Sequence, residues 1–289
     1  MIHFVKRNQI DEEKYNYCIS NSLQNRIYAY SWYLDIVADN WSVLILNDYE
    51  AVMPLPFKKK YLIPYISQPF FTQQLGLFSK EKITGNTFQE FIRNIPRKFL
   101  KIALQFNSEN NFLKENVITK SNFTLLLDKE YKVIYKDFSK GRKHAVQQGL
   151  KNQFTIEEIP FSELLVLSKE NYSFKEIKEN EYSKLSKLVE VLKRKNKTKI
   201  IGVKVNGALI GGSVFLLDSK RIVYLFSALS QEGKEKQVAS LLLNTIIEEY
   251  ASTNKILDFE GSQLPGIKNF FKSFGAKKES YFLLKKWWL

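Results

Sequence analysis

Apolar residues recur along this chain with two spacings, every second position and every third or fourth, and the two alternate in a regular order. The order is clearest from residue 154 onward. Phe154 to Ile159 alternates as a strand, and Phe161 to Glu170 follows with helical spacing. Tyr182 to Lys195 predicts a longer helix with Leu185, Leu188, Val189 and Leu192 on one face. Lys199 to Val205, Ala208 to Leu217 and Arg221 to Ala228 read as three strands, the second pair joined by a turn at Asp218 to Lys220. Asn206-Gly207 joins the first two, and this dipeptide favours a two-residue hairpin because both residues tolerate positive φ. A loop from Leu229 to Lys236 leads into a helix with Val238, Leu241, Leu242, Ile246 and Tyr250 on one face. A short strand is expected at Ile256 to Glu260. A helix is expected from Pro265 to Phe274, with proline at its first position and Gly275 at its end, and a last strand at Tyr281 to Lys285.

The first half follows the same order more loosely. A strand at Ile2 to Val5 precedes helices at Asp11 to Ser20 and Ser31 to Ala38, with Ser31 as N-cap. Ser42 to Leu46 and Ala51 to Phe57 read as strands around a turn at Asn47 to Glu50. Pro54 and Pro56 place the second of these at a sheet edge or a bulge, since proline lends no N–H to a ladder. Tyr61 to Ile66 is a third extended segment, and Phe70 to Phe78 is apolar without a clean period. A helix at Thr87 to Asn94, a strand at Lys98 to Phe106, a helical turn at Asn110 to Glu115 and a strand at Phe123 to Asp128 complete the half. Each half reads β-α-α-β-β-β-α-β-α-β, with no sequence repeat between them. Between the two patterns, Lys129 to Asn152 carries seven Lys/Arg against Glu130 and Asp137. The expected fold is α/β, two similarly built domains at 1–135 and 136–289.

Composition agrees with this and narrows the function. A chain of 289 residues with 44% hydrophobic residues has material for two cores. The net charge of +14 favours an anionic partner or a lysine-rich, solubilising surface in equal measure. Cys18 is the only cysteine, which excludes an intrachain disulfide, fits a reducing compartment and predicts a buried thiol on an amphipathic helix. The first residues lack a signal-peptide core, and no window approaches ~20 apolar residues. Cytoplasmic residence with no membrane span is expected by elimination. His3 and His144, the only histidines, and the absence of any Cys/His spacing predict no metal. No G-x-S-x-G elbow is present, which argues against hydrolase chemistry.

Three segments carry a resemblance. KGRKHAVQQGLKN (Lys140 to Asn152), ILDFEGSQLPGIKNFFKSFGA (Ile256 to Ala276) and AVMPLPFKKKYLIPYISQPFFTQQLGLFS (Ala51 to Ser79), in that element order, resemble the FemABX family. This is the group of tandem GNAT-fold N-acyltransferases, here in a bacterial Fem-like branch. Lys140 to Asn152 resembles the basic helix that opens the family's C-terminal domain. Ile256 to Ala276 is similar to its late strand, glycine turn and helix closed by an aromatic-Gly pair. The resemblance implies tandem GNAT-like domains, each a mixed, mostly antiparallel sheet flanked by helices, with the acyl-donor cleft in the C-terminal one. It also implies transfer of an acyl or aminoacyl group onto an amine acceptor, such as a cell-wall or glycan precursor. No cofactor is required beyond the donor, which is either acyl-CoA or aminoacyl-tRNA.

The sequence bears on that choice. A CoA pyrophosphate binds GNAT enzymes at Q/R-x-x-G-x-G/A, where free N–H groups at a helix N-terminus meet phosphate. The matching stretch is Gly233 to Ser240, in which Gln237 stands at the central glycine and Ala239 at the small position, beside Lys234, Lys236 and Val238. Phe271 occupies the place of the tyrosine that protonates a departing thiolate in many GNAT enzymes, with Tyr224 and Tyr281 as substitutes. Both departures weaken the CoA reading and favour the Fem-like one.

The remaining site expectations follow from chemistry. Asp258 and Glu260, two apart on one predicted strand, would share a face and accept or hold the amine's proton, unless they form ordinary ion pairs. Tyr224 joins them as a catalytic candidate. Phe226, Ser227, Ala228 and Leu229 are assigned, by fold analogy alone, to the stretch that follows the strand whose backbone N–H polarises the donor carbonyl. Arg142 and Lys143 are candidate phosphate contacts, grouped with Gly261, Ser262 and Phe271 around the donor or acceptor. Phe270, Phe271, Phe274, Trp287 and Trp288 also read as packing residues. Two rivals stand beside the Fem-like transferase: an acetyl-CoA-dependent GNAT N-acetyltransferase, and a non-catalytic basic binding protein for tRNA or an anionic glycan.

Overall fold

In the computed structural model, which describes residues 1–113, 115–171, 177–261 and 264–287, the predicted alternation becomes a mixed α/β architecture of mostly antiparallel sheet flanked by helices. The chain divides into two compact units. One comprises Met1–Lys120 with Ser280–Leu289, the other Ser121–Glu279.

The first unit opens with β1 (Ile2–Lys6), α1 (Glu12–Asn21), α2 (Ser31–Val37), β2 (Asn40–Leu46), β3 (Ala51–Lys60), β4 (Ile63–Ser67), a short β5 (Phe78–Ser79), α3 (Gly85–Arg93) and β6 (Lys101–Phe106). Helix α1 starts where the Asp11 side chain accepts from the Lys14 N–H, and α3 where Thr84 accepts from Thr87, so each start satisfies a backbone donor. The N-cap of α2 is Tyr30 rather than Ser31, whose N–H donates to the Asn16 side chain. Strand β1 pairs with β2, β2 with β3 and β3 with β4, all antiparallel, and β4 with β6 in parallel. Pro54 and Pro56 lie in the interior of this order. Among the described residues, however, β3 pairs beyond β2 only through Ala51–Val52 with β5 and Phe57–Lys60 with β4. The prolines therefore occupy the stretch where one side of the strand has no ladder to break. Tyr15, Tyr28, Tyr33, Phe78, Phe88, Phe91, Phe99 and Phe106 fill the core, and Cys18 is buried with them as expected.

The second unit holds α4 (Tyr131–Lys136), α5 (Lys140–Lys151), β8 (Ile156–Glu158), α6 (Phe161–Asn171), α7 (Glu179–Arg194), β9 (Thr198–Val205), β10 (Ala208–Leu217), β11 (Arg221–Leu229), α8 (Gln231–Glu235), α9 (Val238–Glu249), β12 (Ile256–Asp258) and α10 (Pro265–Lys272). Strand β7 (Val117–Leu126) precedes them and β13 (Lys277–Trp287) follows. The order β7-β12-β11-β10-β9-β8 is antiparallel except for the parallel pair β11–β12. Asn206 and Gly207 have φ of 51° and 80°, as their hairpin requires. Leu164 of α6 and Leu185, Leu188, Val189 and Leu192 of α7 are buried, as are Val238, Leu241, Leu242 and Ile246 of α9.

Four expectations change. The described residues between Asn110 and Glu115 form turns and no helix. Within the basic stretch Lys129 to Asn152, Lys140–Lys151 forms the helix expected there, α5, but Tyr131–Lys136 adds a further one, α4, that the pattern does not show. Tyr61 belongs to the β3–β4 turn, not to a strand. The strand read as closing the first half closes the second unit instead, and the final strand, whose domain the pattern leaves open, joins the first, so the two closing strands are exchanged. Residues 124–126 of β7 pair with β12 in the second unit, and residues 282–287 of β13 pair with β6 in the first. This is why the units divide at residue 120, with the last ten residues returning to the first unit, rather than at 135.

Candidate functional site

Strands β11 and β12 run in parallel for only three pairs, Arg221–Ile256, Ile222–Leu257 and Val223–Asp258. Strand β12 ends there, whereas β11 continues to Leu229, paired on its other side with β10. Among the described residues no strand pairs with β11 beyond Val223 on the β12 side, so the two strands open into a wedge whose apex is Val223 and Asp258. The first unit has a counterpart in β4 and β6, which pair in parallel only at Ile66–Ile102 and Ser67–Ala103. That gap is filled by the chain itself: the Leu75 N–H donates to the Gln105 carbonyl, the Asn107 N–H to the Leu75 carbonyl, and the Gln105 N–H to the Gln68 side chain.

A bulge shapes the β11 side of the wedge. Val214 faces Phe226 and Phe215 faces Tyr224, leaving Leu225 as an extra residue. In a regular strand Tyr224 and Phe226 would share a face. Here the Tyr224 ring meets Phe271 of α10 edge-on at 6.3 Å and lies 5.4 Å from Phe215, while Phe226 packs 6.3 Å from Phe161 of α6. Tyr224 is therefore the first residue past the apex, wedged against α10. Phe226, Ser227, Ala228 and Leu229 form the end of the strand itself, not a loop after it.

Beneath the apex lies a buried charge cluster. Arg221 Nη1 donates to Asp258 Oδ2 at 2.8 Å, and its two terminal nitrogens grip Glu279 at 2.7 and 3.1 Å. The Asn122 side-chain amide donates to Asp258 Oδ1 at 2.9 Å and to Glu279 at 3.1 Å, and the Glu260 N–H donates to the same Asp258 oxygen. Both Asp258 oxygens are engaged. The fork of two parallel N–H···O bonds to Glu279 is the strongest arrangement an arginine makes. The expectation that Glu260 shares a strand face with Asp258 does not hold. The strand ends at Asp258, and Glu260 turns away with φ of 58°. Gly261 follows at φ 61°, packed so closely on β7 that a Cβ would lie 2.3 Å from the Ser121 carbonyl oxygen. Ser262 lies outside the described residues.

The stretch matching the pyrophosphate loop is built as helix, turn, helix. Ser230 caps α8 by accepting from the Gly233 N–H, and Gln237 is the N-cap of α9 with φ of 61°. The loop thus keeps the left-handed backbone that glycine favours, with a glutamine side chain added. Val238 is buried at the first position of α9, and Ala239 stands at its second position. Lys236 pairs with Glu232 at 2.9 Å and lies 5.5 Å from the Phe154 ring; Lys234 donates its backbone N–H to Ser230.

Helix α5 crosses the first turns of α9. Gly149 sits against Leu241 and the Gln237 carbonyl. Arg142 donates to the Ser240 hydroxyl and, at 2.9 Å, to Ser273 at the C-cap of α10, with its guanidinium 4.2 and 4.6 Å from the Phe270 and Phe274 rings. Burial lowers its pKa to about 10, which still leaves it charged at neutral pH. The carbonyl end of α10 and the two ring faces meet that charge. Lys143 diverges, donating to the Lys136 carbonyl at 2.7 Å. Phe271 is a core residue, 4.9 Å from Phe259.

Sequence reasoning points to Asp258 and Arg142 but misses the side chains that hydrogen-bond them, Arg221, Asn122, Ser240 and Ser273, and Glu279, which joins the cluster through Arg221 and Asn122. An arginine opening an otherwise apolar strand is the one available signal.

No family model matches the chain, and no curated protein matches it. Solved structures do. Similar to this chain are FemX (13% identity, 94% of this chain and 96% of that one, TM-score 0.68), L-PGS from Bacillus licheniformis (15%, 95% and 91%, TM-score 0.57) and a tandem GNAT protein from the clavulanic acid biosynthesis pathway (10%, 99% and 98%, TM-score 0.54). At such identities they show the fold, which is FemABX/GNAT-like.

Proposed function

We propose that this chain is an N-acyltransferase of the Fem-like kind, moving an acyl or aminoacyl group onto an amine. The wedge between β11 and β12 in the second unit carries the reading. A carbonyl laid along the open edge of β11 meets backbone donors already fixed by the strand, the arrangement that stabilises a developing oxyanion without reorganisation. Tyr224, next to the apex, is the candidate proton donor to the leaving group. Phe226 to Leu229 line the donor's path. Asp258 acts as a positioning residue: both its oxygens are taken up by Arg221, the Asn122 amide and the Glu260 N–H, so its role is to keep the apex rigid. Glu260 and Gly261 shape the acceptor side.

The donor is better matched by aminoacyl-tRNA than by acyl-CoA. The Gln237 side chain and the crossing of α5 narrow the approach to the N-terminus of α9, where a pyrophosphate would need bare N–H groups. Arg142, Lys234 and Lys236 supply cationic character around that end. One observation favours the CoA reading: the left-handed backbone at Gln237 keeps the loop's shape. The test is isothermal titration with acetyl-CoA, bare tRNA and aminoacylated tRNA, followed by a transfer assay with Tyr224→Phe. The expected result is no saturable CoA binding, salt-sensitive tRNA binding, and transfer lowered at least ~100-fold in Y224F with tRNA affinity unchanged. Micromolar CoA binding would reassign the donor. Silence towards all three would leave the non-catalytic reading.

A further inference from the structure

The β3–β4 hairpin closes with a two-residue turn, Lys60 pairing with Ile63 across Tyr61 and Leu62. Both turn residues have positive φ, 49° and 68°. The same kind of turn recurs at Asn206-Gly207, with the residues such turns favour. Tyrosine and leucine at these positions are strained, and no packing within the fold offsets the strain, because the two side chains are 87% and 89% exposed. Ile63 beside them is 48% exposed.

Topology brings more of the same chemistry to this end of the first unit's sheet. Strand β4 begins at Ile63, its parallel neighbour β6 begins at Lys101, and antiparallel β13 pairs Trp287 with Lys101. Trp287 is 65% and Leu100 45% exposed, and with Tyr61 and Ile63 they line a shallow depression of about 610 Å³. The Lys60 ammonium lies 5.6 Å from the Tyr61 ring and that of Lys101 4.7 Å from Trp287. Residues 57–66, 96–103 and 281–287, which build this end, contain eight Lys/Arg and no Asp/Glu. Of these, Lys58 pairs with Asp39 at 3.6 Å.

We propose that this end of the first unit docks on an anionic phospholipid bilayer, with Tyr61, Leu62 and Trp287 entering the headgroup region and the surrounding lysines meeting lipid phosphates. A projecting tip of aromatic and aliphatic side chains above a basic collar suits an interface that is apolar inside and negatively charged at its surface. Tyrosine and tryptophan are the residues that settle at that boundary. A nucleic acid would engage the lysines and the rings but gains nothing from Leu62, Ile63 and Leu100. The inference does not depend on the transferase reading.

The test is co-sedimentation of the full chain with vesicles of phosphatidylcholine alone and of a roughly 1:3 phosphatidylglycerol–phosphatidylcholine mixture, with bulk tRNA titrated in parallel. Tyr61→Asn/Leu62→Gly is the informative variant, since it suits the turn better and should melt no lower than the parent. Salt-sensitive partition onto anionic vesicles only, lowered roughly tenfold or more by this variant and by Lys59→Glu/Lys60→Glu, is the expected result. Trp287 should be quenched by brominated lipid, judged against Trp287→Phe. Equal partition of the parent and the tip variant, or loss of tRNA affinity with vesicle binding unchanged, would overturn the proposal.

Discussion

Arg221 faces two carboxylates in a buried setting, and the cost of removing it is set by what remains. Arg221→Met would leave Asp258 and Glu279 side by side without a cation, and we expect a loss of about 3–5 kcal/mol in urea unfolding. Asp258→Asn keeps the shape but weakens two charge-assisted bonds, an expected loss of about 1–3 kcal/mol. Gly261→Ala should cost about 2 kcal/mol or more, because its left-handed backbone and the nearby Ser121 carbonyl leave no room for a methyl group. Cys18 gives a pH signature. Burial raises its thiol to about 11 from an ordinary value near 9. Below about 9 both folded and unfolded chains hold the proton. Between 9 and 11 only the unfolded chain releases it, so stability falls as pH rises, by up to ~1.4 kcal/mol per unit. Cys18→Ala should flatten that slope in urea titrations at pH 8 to 11. Asp258 is visible in the sequence as a carboxylate on a short strand. Its setting is not, since Arg221 lies 37 and Asn122 136 residues away, and no local spacing encodes such partners.

Elements are most legible where periodicity is strong. The pattern places strand β10 at its observed bounds, and α7 within three residues at its start, because long amphipathic runs leave few alternatives. Helix α4 escapes the pattern: it is six residues long, and only Ile134 is buried. Tyr61 reads as strand because aromatics favour strands, although here pairing on both sides forces it into the turn. The bulge at Leu225 leaves no mark on the sequence either, yet it decides which helix each flanking ring meets. Tyr61→Asn/Leu62→Gly should raise stability by about 1 kcal/mol in the same urea assay, since the replaced residues are strained by positive φ at both positions. Gln237→Gly relieves the same strain at one position and should change stability by no more than about 1 kcal/mol while exposing the start of α9. Any gain in CoA affinity in that variant would mark the glutamine as the element that turns the loop away from pyrophosphate.

At the scale of the whole molecule, a surplus of 14 positive charges makes association with polyanions steeply dependent on ionic strength, so affinities need to be compared at a stated salt concentration. The duplication of layout is legible because both halves repeat one order of elements. The exchange of closing strands is not, because pairing between distant strands leaves no trace in either pattern. That exchange has a consequence for how the protein comes into being. Everything the second unit needs, Ser121–Glu279, is contiguous, whereas the first unit also needs Ser280–Leu289, made after the whole of the second. During synthesis the later-encoded unit can close first, while the earlier one stands on the ribosome with β6 lacking its final neighbour. A fragment ending at Lys120 should therefore be less protected from limited proteolysis than one spanning Ser121–Glu279, an inversion of the usual order in which a nascent chain matures from its beginning.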